Sequence, residues 1–194
     1  MASEPTTNPI KFAIAALLVC TLLAVAAGMI IPFDVDQPLT IQMLAGDAAI
    51  LIDDKTPDPL LTGAQTELDP GQTIQLQPGS EASITFTINK GRAQLTGPTT
   101  LTLIESYRRA TSLGHAFGSF SRDYVLTLAQ TQGTVRYIFA NTSPALDEMQ
   151  VTIQLPDGNY IPFATHPCWT ITVDTNGHST ANTIQCPSIS SKTH

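Results

Sequence analysis

Hydrophobic residues are arranged in two ways along this chain, one continuous and one alternating. The continuous arrangement comes first. Residues 12–33 are twenty-two consecutive positions without a charge, and Thr21 carries the only polar side chain among them. At about 1.5 Å per residue a helix of that length measures roughly 33 Å, and a bilayer's hydrocarbon core is about 30 Å thick. The run therefore predicts one transmembrane helix over 12–33, after a short polar tail (1–11) and before a body of residues 34–194. Gly28 is tolerated inside such a helix, and Pro32 falls where the helix should end. Lys11 flanks the run on one side and Asp34 and Asp36 on the other, which orients the tail to the cytoplasm and the body outside. A cleaved signal peptide is the competing reading, but its apolar region normally runs only about 7–15 residues. Ala24-Val25-Ala26 has the form of a cleavage site, yet a cut there leaves the apolar stretch 27–33 as the new terminus. Cys20, preceded by Val19, reads as a small hydrophobe within the helix and not as a lipidated cysteine.

Beyond Phe33 the pattern changes to a period of two. In residues 82–88, Ile84, Phe86 and Ile88 fall on one face and Ser83, Thr85 and Thr87 on the other. The same alternation marks 73–77, Leu95, 99–104, 125–128, 135–139, 151–155 and 169–173, with threonine used heavily on the polar side. Turn phrases punctuate these runs: Asp69-Pro70-Gly71, Gln77-Pro78-Gly79, Asn89-Lys90-Gly91, Thr96-Gly97-Pro98, Gln132-Gly133, Pro156-Asp157-Gly158 and Asn176-Gly177. Residues 105–109 read as a short helical or irregular turn, and no amphipathic helix follows the first run. The body is thus expected to be all-β: an antiparallel sandwich or jelly roll, or a flattened β-helical stack. Residues 111–121 divide it into halves of about 75 residues, too small to be stable separately, so one shared core is expected.

The tail contains a pair of cysteines in "CWTITVDTNGHSTANTIQC", with Asn176-Gly177 as a hairpin signal. A loop of Asn176-Gly177-His178 sets Thr175 against Ser179 and, counting outward, Cys168 against Cys186. A two-residue Asn-Gly turn pairs Cys168 with Gln185 instead. The expected disulfide is Cys168–Cys186, in keeping with an exported, oxidising location.

Composition narrows the function classes. The body holds fifteen of the sixteen acids and eight of the nine bases, a net charge of −7, which disfavours a nucleic-acid surface. Arg108-Arg109, the nearest thing to a basic patch, reads as solvated loop. His115, His166, His178 and His194 sit in predicted loops, a turn and the terminus, and no Gly-x-Ser-x-Gly elbow accompanies them. Asp53-Asp54 and Asp147-Glu148 are adjacent acids in turns, not two walls of a cleft. "DDKTPD" lacks the glycine and glutamate of a calcium loop, and no phosphate loop occurs. Asn141-Thr142-Ser143 fits a glycosylation acceptor and marks an exposed loop. His166 and His178 with the cysteines match no common zinc spacing. No catalytic, cofactor-binding or metal-binding residue is assigned, and no cofactor is expected.

Residues 44–104 resemble the FecR-like domain, known from membrane-anchored regulators of the cell envelope. The likeness runs through Ala45-Gly46-Asp47-Ala48, the step from Gly63 through Gln65-Thr66-Glu67-Leu68 and Asp69-Pro70-Gly71 to Ile74, then Ala82-Ser83-Ile84-Thr85-Phe86, and Leu95-Thr96-Gly97-Pro98 with Leu101 and Leu103. Further on, Leu155-Pro156-Asp157-Gly158 stands where that family has a Thr-Pro step, and Pro167-Cys168 where it has Gly-Thr, so the second half departs from the pattern. The resemblance implies an extracytoplasmic β-rich module that makes protein contacts. Its sigma-factor role does not carry over, because eleven residues before the apolar run are too few for that domain. The expectation is a membrane-anchored, non-catalytic module with membrane lipid around residues 12–33 and a protein partner in the envelope. The alternative is a carbohydrate- or surface-ligand-binding module, with Tyr107, Tyr124, Tyr160 or Trp169 as stacking platform.

Overall fold

One helix and thirteen strands make up the computed structural model, which describes residues 9–51, 57–86, 91–111, 124–139, 149–162 and 168–186. Helix α1 spans Pro9–Ile30. It starts and ends three residues earlier than the apolar run predicts, because Pro32 opens strand β1 (Pro32–Asp36) instead of closing the helix. Proline lacks the N–H that would continue the helical ladder, but it is accepted at the first position of a strand. Side chains of α1 are described at positions 13, 14, 16–23, 25 and 26. Among the described residues, which leave out ten side chains of α1, no helix is long and apolar enough to cross a membrane.

Spatially the chain divides into two units, residues 1–34 with 109–121, and residues 35–108 with 122–194. In the first unit Arg109 Nε approaches Asp34 Oδ1 at 3.7 Å, with both side chains 55% exposed. Such an ion pair contributes little.

The second unit is built from β2 (Leu39–Ala45), β3 (Asp47–Leu51), β4 (Asp58–Leu61), β5 (Gln65–Leu68), β6 (Thr73–Leu76), β7 (Glu81–Thr85), β8 (Arg92–Thr111), β9 (Tyr124–Ile138), β10 (Met149–Gln154), β11 (Tyr160–Pro162), β12 (Cys168–Val173) and β13 (Ser179–Thr183). All the strands join one hydrogen-bonded sheet, but β8 and β9 are long enough to belong to two arms of it. In the first arm Arg92–Thr96 of β8 pairs with β7 and with the last turn-ward half of β9, and the ladder runs β5-β2-β7-β8-β9-β12-β13. In the second arm residues 99–102 of β8 pair with β6 and the first half of β9, giving β4-β3-β6-β8-β9-β10-β11. The inward residues of both arms, among them Ile41, Ile84 and Leu95 from one and Ile74, Leu101 and Leu128 from the other, fall into one buried cluster. The result is a sandwich-like β body. Phe86 and Phe139 stack within it at 5.0 Å between ring centres.

Three expectations are corrected. First, 105–109 is strand, so Arg108 and Arg109 lie within β8 and not in a loop. Second, Thr96-Gly97-Pro98 and Gln132-Gly133 do not reverse the chain; they bend β8 and β9 together. The register jumps there, from Thr96↔Thr134 to Thr100↔Gln132. Gly133 takes φ +92°, and a Cβ on it would overlap Pro98 O and Thr99 Oγ1. Third, β9 and β10 run parallel, so the sheet is mixed. The dividing segment 111–121 lies outside the described residues apart from the backbone of Thr111.

A buried amide braces the bend. Gln130 has no exposed surface; its Nε2 donates to Gly133 O (2.9 Å) and Ile171 O (3.1 Å), and its Oε1 accepts from Tyr137 Oη (3.2 Å). A buried amide with its polar atoms engaged in this way avoids the cost of about 1–3 kcal/mol per orphaned group. Burial pushes the Tyr137 phenol well above its ordinary range, so it stays a neutral donor.

The cystine Cys168–Cys186 is present, with Cα atoms 5.5 Å apart. The hairpin beneath it differs by two residues from the expected register. Val173 faces Ser179 and Trp169 faces Thr183, and Ile184 N donates to Cys168 O at 3.1 Å. Cys186 therefore lies two residues past the position opposite Cys168. The loop is Thr175-Asn176-Gly177, because its last residue needs a positive φ, and Gly177 adopts +82° where His178 would be strained.

Two outcomes are expected. Gly133→Ala should cost about 3 kcal/mol in a urea melt, since strained backbone and overlap add, whereas Gly158→Ala, with φ +80° and nothing within 4 Å, should cost only about 1 kcal/mol. Replacing both Cys168 and Cys186 by serine, a closed loop of sequence separation 18, should lower stability by about 3 kcal/mol in the same measurement.

Candidate functional site

Strand alternation gives the first arm an outward face made almost wholly of hydrogen-bonding side chains. Cross-strand register places Gln65, Gln42, Ser83, Gln94, Arg136, Thr170 and Asn182 in one row. The next row holds Glu81, Thr96, Thr134, Thr172 and Thr180, with the Thr134 and Thr172 hydroxyls 3.1 Å apart. Leu44, Glu81, Gln94, Thr96, Thr134 and Arg136 line a shallow depression of about 290 Å³ on this face. Amides, hydroxyls, one guanidinium and one carboxylate can grip a polar surface. They supply no nucleophile set against a base.

At one end of the sheet, the turn between β10 and β11 meets the tip of the β12–β13 hairpin. Asp157 accepts hydrogen bonds from Ser179 Oγ, from Asn159 N (3.1 Å) and from Asn159 Nδ2 (2.9 Å). Asp174 Oδ1 accepts from Asn176 N (2.8 Å) and His178 N (2.9 Å). The Ser179 hydroxyl holds the Asp157 carboxyl below its ordinary value of 3.8, and the His178 amide does the same for Asp174. Ser179 and Asp157 touch directly, so this hydroxyl donates its hydrogen bond to a carboxylate, and among the described residues no imidazole stands between them to act as base. Among the described residues no group of three or more His, Cys, Asp or Glu side chains is placed to hold a metal ion.

The other sequence-level candidates separate cleanly. Tyr124 is 1% exposed, its hydroxyl 2.8 Å from Ser106 Oγ, and Trp169 packs against the core. Tyr107 is half-buried and Tyr160 is 62% exposed on the edge strand β11. These four aromatic residues therefore form no common exposed platform. His115, His166, His194, Asp53, Asp54, Asp147, Glu148 and the Asn141 acceptor lie outside the described residues. Cys20 is an exposed thiol on α1.

The chain matches no protein-family model, no curated protein and no solved structure.

A pH dependence follows from the two aspartates. Their folded pKa values lie below 3.8, so their stabilisation is complete above about pH 4 and is lost as pH falls through the folded values. Asp157→Asn with Asp174→Asn should melt below the natural chain near about pH 7. That gap should narrow progressively as pH falls below about 4, as read by thermal melts at a series of pH values.

Proposed function

We propose that this chain is a membrane-tethered extracytoplasmic module that works by contact with another protein and not by catalysis. The observation that carries the tether is the exposure of α1. Leu17 is 71% exposed, Leu22 67% and Leu23 64%, Ile14, Leu18, Val19 and Val25 are exposed among them, and the small exposed residues Ala13, Ala16 and Cys20 complete the circuit of the helix. A helix apolar all round needs an apolar surrounding, either a large core or lipid. Burying each of these large side chains is worth about 1.5–3 kcal/mol, so lipid would stabilise α1 by more than ten kcal/mol in rough sum.

The orientation follows from Lys11 ahead of the apolar stretch and Asp34 and Asp36 after it. The cystine supports an oxidising side for the body. The FecR-like resemblance belongs to this reading. The phrases that carry it fall on β5 and β6 and on the paired strands β7 and β8 of the body, and it favours a protein partner over a small molecule. The polar outward face of the first arm would meet such a partner through hydrogen bonds.

The test is membrane partition. The full chain should remain with carbonate-washed membranes, its body open to protease from the outside. Leu17→Arg with Leu22→Arg, each costing about 2.5–3.5 kcal/mol at a helix centre, should shift it to the aqueous fraction. Recovery of the unsubstituted chain in the aqueous fraction, beginning near residue 27, would overturn the tether.

A further inference from the structure

The two arms of the sheet end in the edge strands β4, β5, β11 and β13, which among the described residues differ in how open they are to pairing. A bare edge presents unpaired main-chain donors and acceptors, and proteins blunt such edges with charge, proline or short length. Strand β4 carries Asp58 and Pro59, β5 is four residues with Glu67, and β11 is three residues ending in Pro162. Strand β13, Ser179-Thr180-Ala181-Asn182-Thr183, has neither charge nor proline, and among the described residues it pairs with β12 alone. Thr180, Ala181, Asn182 and Thr183 are exposed.

The hairpin register fixes which groups point outward. Asp174 N donates to His178 O, and Ile184 N donates to Cys168 O. By the alternation of an antiparallel ladder, Thr180 and Asn182 then direct their main-chain groups to β12, and Ala181 and Thr183 direct theirs to the open side with Ser179. The cystine holds the far end of this edge in place.

We propose that β13 is a self-pairing edge: a second copy of this chain adds to it antiparallel, about a two-fold axis at Ala181. The side chains are near-palindromic about that residue. Ala181 would face its own counterpart, Thr180 would face Asn182 and Ser179 would face Thr183. Every opposed pair is small and uncharged, and the polar ones can hydrogen-bond. An acidic body of net charge −7 repels its copy on average, and this edge strand adds no charge of its own to that repulsion. This inference rests on the contact reading of the chain and not on the tether. A failed dimer assay in detergent therefore leaves membrane partition standing, and the reverse also holds.

The experiment uses the full chain in detergent with Cys20→Ser. Ala181→Cys places two thiols at opposed positions about 5.5 Å apart between Cα atoms, within disulfide reach. Thr180→Cys places its pair on a diagonal beyond about 7 Å. Mild oxidation should give at least tenfold more covalent dimer from Ala181→Cys. Adding Thr183→Pro removes an outward N–H not used by β12, and should cut that yield at least tenfold while the Cys168–Cys186 cystine persists on mass mapping. Sedimentation of the Cys20→Ser chain, with and without Thr183→Pro, should show the dimer dissociation constant weakened at least tenfold. Equal cross-linking at 180 and 181, insensitivity to Thr183→Pro, or a monomer at all concentrations would each overturn the proposal.

Discussion

The body depends on β8 and β9 bending at the same level. A single flat sheet of this many strands would leave one face of Ile, Leu and Val in water. By passing from one arm to the other as a hydrogen-bonded pair, the two strands turn the inward faces of both arms onto one core. The bend requires a residue without a side chain at Gly133, since the backbone of Pro98 and Thr99 fills that space. It also turns Gly133 O and Ile171 O toward Gln130, whose amide satisfies them and accepts from Tyr137. A polar knot at a strand crossing specifies geometry that leucines alone would leave loose, because it is satisfied in one arrangement only.

Much of the architecture was legible in the chain. The apolar run marked α1, the period of two marked most strands from β6 onward, and the spacing of Cys168 and Cys186 around Asn176-Gly177 marked the cystine. Failures came where one local signal serves two purposes. Glycine and proline report an unusual φ, but not whether the neighbouring strand bends in concert. Thr96-Gly97-Pro98 and Gln132-Gly133 therefore read as reversals, although each is half of a shared bend. Gln130 was missed for a related reason. Its inward position follows from parity with Leu126 and Leu128, yet an amide in a strand suggests solvent until its partners, Ile171 among them, are known. The parallel pairing of β9 with β10 rests on non-local contact and has no local mark.

The candidate surface shows the same division. That threonine would face outward was evident from alternation. Which polar residues share a row was not, since Gln42, Gln94 and Arg136 are brought side by side only by the register of separate strands. The two-residue displacement of the last hairpin is instructive too. The positive φ belongs at the end of the loop, so Gly177 sets the register and the cysteines follow. The cystine joins positions two residues out of step because the turn, not the bridge, is the stronger determinant.

That bridge also governs how force would travel through the molecule. Tension applied beyond Cys186 passes through the sulfur link to Cys168, at the start of β12, which is laced to β9 in the middle of the ladder. The closed segment between the two cysteines carries none of that load. A pull on the far end of the chain would therefore strain the interior of the sheet before it peeled away the outermost strand.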